Sequence, residues 1–239
     1  MDNLVNIETL FMERATGSFS ACIATSQQTL PSLQTLKNSF LHPDEHTYFN
    51  TLKAAKRQHS YLHGRYTAKQ AVAAYTQHKE LADIKIATGV FQQPILQITN
   101  VQLSISHTEK WCVAVIYPEA HPMGVDVELI SPQINESINE IITEKERGLL
   151  PSDAPNLSLL WTIKEALSKT LRTGLMTPLQ VYEVSKVIHK EGMIEAHFTN
   201  FAQYKSLSWI SGDHAWSIVL PLNSMPDPLV LARIQKNVR

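Results

Sequence analysis

The stretch Tyr66-Thr67-Ala68-Lys69-Gln70-Ala71-Val72 returns in altered form as Trp161-Thr162-Ile163-Lys164-Glu165-Ala166-Leu167. A strand pattern repeats with it: Leu103-Ser104-Ile105-Ser106 followed by Trp111 is matched by Leu207-Ser208, Ser211 and Trp216. A repeat of one helix plus a set of strands constrains the fold, because each copy must bury an apolar face and two copies in one chain can do so against each other. The expected fold is α+β, with two similar helix-plus-antiparallel-sheet halves forming an intramolecular pseudo-dimer and the chain a monomer. Pro118 and Pro122 mark the seam. Residues 1–120 are then the N-terminal half and 121–239 the C-terminal half, and the 44% apolar content is ample for a shared core.

Side chains two apart in a strand share a face, so in Gly124-Val125-Asp126-Val127-Glu128 the two carboxylates project together while Val125, Val127 and Leu129 face the interior. The repeat's second helix carries Leu160, Ile163, Leu167 and Leu171 at helical spacing, with Asn156 as a candidate cap and Gly174 just past the end. On it Trp161, Glu165 and Lys169 share one face. Three carboxylates (Asp126, Glu128 and Glu165) with oxygen-only donors suit a hard cation, Mg²⁺ or Mn²⁺. The same spacings also describe a partly solvated strand and an ordinary helix surface.

These residues resemble the two signature motifs of the 4′-phosphopantetheinyl transferase superfamily, Gly-Val-Asp-Val-Glu and Trp-Thr-Ile-Lys-Glu-Ala-Leu-Ser-Lys, in the order of its larger, pseudo-dimeric, surfactin-synthetase-activating type. Residues 60–71 are similar to the family's amino-terminal helix, Ser106-His107 to its serine-histidine element, and Thr173-Gly174-Leu175-Met176-Thr177-Pro178 to its turn after the signature helix. The resemblance implies transfer of the phosphopantetheine arm of coenzyme A to a serine of an apo acyl or peptidyl carrier protein, with release of 3′,5′-ADP. It implies Asp126, Glu128 and Glu165 as Mg²⁺ ligands, Glu165 also as the base for the serine, and Lys169 as the cation neutralising developing charge. Ser106 and His107, the latter charged beside a phosphate, would hold coenzyme A with Arg65, and Lys69 is a further candidate. Where relatives commonly read Gly-Lys-Pro, this chain reads Gln92-Gln93-Pro94, so the expected contact at Gln93 is a neutral amide donor. Arg172, Leu175, Met176 and Lys186 are candidate contacts to the carrier protein. A metal-dependent phosphatase or nuclease, and a non-catalytic binder of carrier proteins or coenzyme A, are the alternatives of other classes.

Composition narrows the partners. A net charge of −1 gives no overall field favouring nucleic acid or an anionic membrane. Asp2, Glu8 and Glu13 precede any lysine, unlike a secretory signal, and no segment approaches the ~20 apolar residues of a membrane span. Cys22 and Cys112 form no CxxC pair or disulfide framework, and Cys112 reads as a buried strand residue, so a reducing cytoplasm is expected. His42 and His46, like His59 and His63, have the spacing of paired helical ligands, but without an HExxH glutamate they make a weak zinc motif.

The rest is read from pattern. A helix is expected over residues 41–78, and strands over Phe19–Thr25, Phe91–Leu96, Val101–His107, Trp111–Tyr117, Val181–Ile188, Ile194–Phe198, Leu207–Ile210 and Trp216–Leu220. Thr143 opens a short helix, a loop spans 151–156, and Pro221, Pro226 and Pro228 interrupt regular structure before the tail. Otherwise residues 1–39 carry no readable motif.

Overall fold

The computed structural model describes residues 5–15, 17–131, 138 and 141–239, with the Leu175 side chain outside that description. Strands β1 (Val5–Arg14), β2 (Gly17–Ser26), β5 (Val101–His107) and β6 (Cys112–Pro118) form an antiparallel sheet in the order β1-β2-β6-β5, extended beyond β1 by β12 (Met225–Pro226). A second antiparallel sheet runs β7 (Gly124–Leu129), β11 (His214–Pro221), β10 (Tyr204–Ser211), β9 (Met193–Phe198), β8 (Val184–Lys190). Helix α3 (Ala55–Thr76) packs on the first sheet and α5 (Ala154–Leu171) on the second. The mixed helix and antiparallel-sheet fold with two similar halves is therefore as expected.

The sheets share one apolar cluster. Leu10, Ile23, Val113 and Val115 of the first meet Val125, Val127, Leu207 and Ile218 of the second, around Trp111 set edge-on to Trp216 at 5.5 Å. Leu129, expected inside, is 43% exposed because β7 ends where the cluster does. Helix α6 (Pro228–Asn237) closes the cluster with Val230, Leu231 and Ile234. Among the described residues no helix is long and apolar enough to cross a membrane. Cys22 and Cys112 are both buried and free.

Several expected boundaries move, and proline is the usual reason. Pro31, Pro43, Pro155 and Pro228 stand in the first turns of α1 (Leu30–Phe40), α2 (Pro43–Phe49), α5 and α6, where a missing N–H costs nothing. The helix expected over 41–78 is two helices, α2 and α3, parted by a turn over residues 50–54 that contains no proline. Helix α5 begins inside the expected loop with Asp153, not Asn156, as its cap, and ends on Arg172 in the left-handed conformation rather than at Gly174. Residues 91–93 form a turn between β3 (Ile86–Thr88) and β4 (Pro94–Leu96).

Each half is locked by the same buried device. Glu45 accepts from His42 N at 2.9 Å, Ile86 N at 3.0 Å and Lys69 Nζ at 2.5 Å. Glu146, in α4 (Glu144–Arg147), accepts from Thr143 N at 2.9 Å, Val184 N at 2.8 Å and Lys164 Nζ at 2.9 Å. In both, a glutamate closes a capping box, pins the start of a strand and neutralises a lysine at the same position of the repeated helix. Lys69, fully buried and donating also to Phe40 O, therefore cannot face a ligand as the sequence suggested. Three of the four paired histidines have other partners as well: His42 caps α2, while His59 and His63 bond to Gln28 O and Ser26 Oγ.

Candidate active site

The seam between the sheets, where β5 runs beside β7, gathers the polar residues. Gly124 makes this possible: a Cβ there would stand 2.2 Å from Ala166 O, so glycine lets α5 press onto β7 and hold Glu165 and Lys169 over the acidic strand. Asp126, 2% exposed, accepts at Oδ1 from Ser106 Oγ (2.7 Å) and Lys169 Nζ (2.5 Å), joining three elements and both halves at one oxygen. Among the described residues, neither Asp126 Oδ2 nor Glu165 Oε1 has a hydrogen-bond partner although both are buried. Glu128 is met by the Trp161 side chain.

Charge crowding sets the titration. Burial, then the Asp126 charge, raises Glu128 to about 7 against the pull of Lys169 and Trp161. Burial and Asp126 raise Glu165 to about 7 as well. Burial works against the Lys169 charge, but Asp126, Glu165 and Glu128 outweigh it and its pKa is raised. The desolvating walls of the cleft, then Lys169, hold the His107 imidazole below its ordinary value.

A carboxyl raised above its unfolded value leaves the native state holding more protons than the unfolded chain between pH 4.5 and about 7, so stability falls as pH rises through that window. Glu165→Gln, without metal, is therefore expected to melt above wild type at pH 8 and to lose that advantage at pH 5. Thermal unfolding in chelator checks this, and an advantage independent of pH would contradict the raised carboxyl.

The donor set suits a hard divalent cation. Among the described residues it has two buried carboxylate oxygens without partners, and neighbouring carboxyls whose pKa values are pushed up by burial and then by the Asp126 charge. Among the described residues no three such side chains are already drawn into a coordination cluster, and Lys169 holds Asp126 Oδ1.

The polar cleft, about 440 Å³, is lined by Arg65, Ser106, His107, Asp126, Glu128, Glu165 and Lys169. Arg65 lies 4.8 Å over the Tyr61 ring and 3.4 Å from Glu45. Gln93 is not among the lining residues and Gln92 is; the Gln93 side chain turns into its own loop, where Oε1 accepts from Phe91 N at 2.9 Å. Arg57 and Tyr48 line the cleft unforeseen. Arg57, Tyr61 and Arg65 stand at i, i+4, i+8 on α3, a signal the sequence did carry.

The repeat shows why the site is single. Asp126 pairs with Ser217 of β11, and the corresponding pair in the first sheet is Ser26 with Cys112 of β6. Gln70 and Ala74 stand at the helix positions of Glu165 and Lys169. The first half thus has neither the carboxylates nor the cation.

A duplicated α+β fold with one acidic site at its seam defines a pseudo-dimeric class of protein. Residues 45–117 match the 4′-phosphopantetheinyl transferase N-terminal domain and residues 122–219 the 4′-phosphopantetheinyl transferase superfamily, together more than half of the chain. The chain belongs to the 4′-phosphopantetheinyl transferase superfamily, in its larger two-half type. A relative named 4′-phosphopantetheinyl transferase gsp, from Aneurinibacillus migulanus, is 31% identical over 106 residues, a match spanning 40% of this chain and 44% of the relative. A holo-(acyl-carrier-protein) synthase from Bacillus anthracis in complex with CoA (3′,5′-ADP) is 22% identical over 47% of this chain and 96% of its own, with a TM-score of 0.34. The holo-ACP-synthase of Plasmodium yoelii is 18% identical over 48% and 96%, with a TM-score of 0.33.

Proposed function

We propose that the protein transfers the 4′-phosphopantetheine arm of coenzyme A to a serine of an apo acyl or peptidyl carrier protein and releases 3′,5′-ADP. The observation that carries this reading is the meeting of Ser106, Asp126 and Lys169 at one oxygen, beside Glu165, in a polar cleft. In this reading residues 1–120 supply coenzyme A contacts (Arg65, Ser106, His107) and residues 121–239 the carboxylates.

Asp126, Glu128 and Glu165 would hold Mg²⁺, or Mn²⁺ in its place, which when bound supplies Lewis-acid stabilisation of pyrophosphate charge. The serine oxygen attacks the β-phosphorus, and the bond to the bridging oxygen breaks with its electron pair leaving on 3′,5′-ADP. Glu165, with one buried oxygen that has no hydrogen-bond partner among the described residues, is the proposed acceptor of the serine proton, directly or through a water. Lys169, raised and so fully charged, faces the charge that develops on the leaving phosphate. Arg172, Lys186 and the exposed Met176 are proposed carrier contacts; Leu175, proposed with them, has its side chain outside the described residues. Two buried, free cysteines suit work in a reducing cytoplasm.

Lys169→Ala is expected to lower kcat and kcat/KM together by about 10²–10³, because the interaction it removes is made mainly in the transition state. Steady-state kinetics check this, and an unchanged kcat would return the lysine to a binding role. For the reaction itself, 3′,5′-ADP should form only with apo carrier protein present and in equal amount to holo carrier. Release of 3′,5′-ADP without carrier would mark a hydrolase.

A further inference from the structure

The turn between β3 and β4 is organised by one of its own side chains. Gly89 N donates to Gln93 O at 2.8 Å, Gln92 N donates to Gly89 O at 3.0 Å, and Gln93 Oε1 accepts the Phe91 amide at 2.9 Å. The Gln93 amide lies over Gly89, where a Cβ would come within 2.4 Å of it. Phe91, held in this way, reaches across the seam: a Cβ on Gly174 would stand 3.2 Å from Phe91 O. The two turns close over a second cavity of about 470 Å³, walled by Phe91, Leu103, Ile105 and Met176. This cavity shares Glu165 and Lys169 with the polar cleft. Arg65, Ser106 and His107 thus line one of the two cavities that meet at this pair, and Phe91, Leu103 and Met176 the other.

We infer that Gln93 is a positioning residue whose side-chain carbonyl fixes the turn that carries Phe91, and with it the wall of the cavity that takes the uncharged, thiol-bearing arm of coenzyme A. The inference rests on the proposed function. It reverses the expectation that position 93 addresses the phosphates. The requirement at this position is an acceptor for the Phe91 N–H, which glutamine and glutamate supply and lysine and alanine do not.

Titration calorimetry of wild type, Gln93→Glu, Gln93→Lys, Gln93→Ala and Phe91→Ala with coenzyme A, and with 3′,5′-ADP, which lacks the arm, tests this. Gln93→Glu should bind coenzyme A within about twofold of wild type, and Gln93→Lys and Gln93→Ala about three- to tenfold more weakly, the size of one lost neutral hydrogen bond. Phe91→Ala should weaken coenzyme A likewise, and all five proteins should bind 3′,5′-ADP equally. Turnover should show the same split, with KM for coenzyme A raised in the lysine and alanine variants and kcat kept. If Gln93→Lys binds both ligands most tightly and Gln93→Glu most weakly, position 93 faces the phosphates and the inference is overturned. Equal coenzyme A affinity in all five overturns it too. A wild type that binds neither ligand overturns the proposed function along with it, a failure the ranking of variants does not produce.

Discussion

Glu146→Ala is expected to remove about 3–5 kcal/mol of folding stability, the cost of leaving a buried cation unpaired. Glu146 and Lys164 are both fully buried, and the carboxylate also satisfies the amides of Thr143 and Val184, so the substitution orphans a charge, opens a helix cap and frees the start of β8 in one step. Natural domains have about 5–15 kcal/mol in total, so the variant stands near the unfolding threshold. Glu45→Ala should behave alike, because Lys69 and the amides of His42 and Ile86 depend on it in the same way. Replacing both partners at once, Glu146→Leu with Lys164→Met, should recover the share of the loss due to the stranded charge but not the share due to the Thr143 and Val184 amides. Urea unfolding measures all three, and a loss under about 1 kcal/mol in Glu146→Ala would contradict the buried pair described here.

Asp126→Asn is expected to lower kcat/KM by about 10³ or more while the protein stays folded. The amide is isosteric and its oxygen can still accept from Ser106, so the seam keeps its geometry. The charge that anchors Lys169 and raises Glu128 and Glu165 is gone, and with it an anionic oxygen for a hard cation. Kinetics at saturating coenzyme A, with thermal unfolding alongside, decide the matter. Activity within about tenfold of wild type would remove Asp126 from the proposed metal ligands, and a collapsed Tm would make it a folding residue.

The parts of this molecule legible in the sequence are those whose meaning is local. Asp126 and Glu128 share a strand face and Glu165 and Lys169 a helix face because periodicity alone decides it. The duplication was readable because Trp111 and Trp216 occupy the same place in the shared core. Lys69 was not legible, since one charge on an amphipathic helix looks like surface until Glu45 and Phe40, far away in sequence, bury it. Strand β1 escaped notice because its apolar residues face both ways: Leu10 and Met12 are buried, while Phe11 is 65% exposed. Pro228, read as a break, opens α6, and Pro155, inside the expected loop, opens α5, which shows only once the capping side chains Asp227 and Asp153 are seen in place. Gln93 needed the conformation of its own turn, which no spacing rule reports.

The measurement that bears most directly on the central claim is the intact mass of an apo carrier protein after incubation with this protein, coenzyme A and Mg²⁺. The predicted result is a gain of one phosphopantetheine per carrier, abolished by chelator and by alanine at the carrier's acceptor serine. An unchanged carrier mass across a panel of acyl and peptidyl carrier proteins, from a protein that still binds coenzyme A, would contradict it.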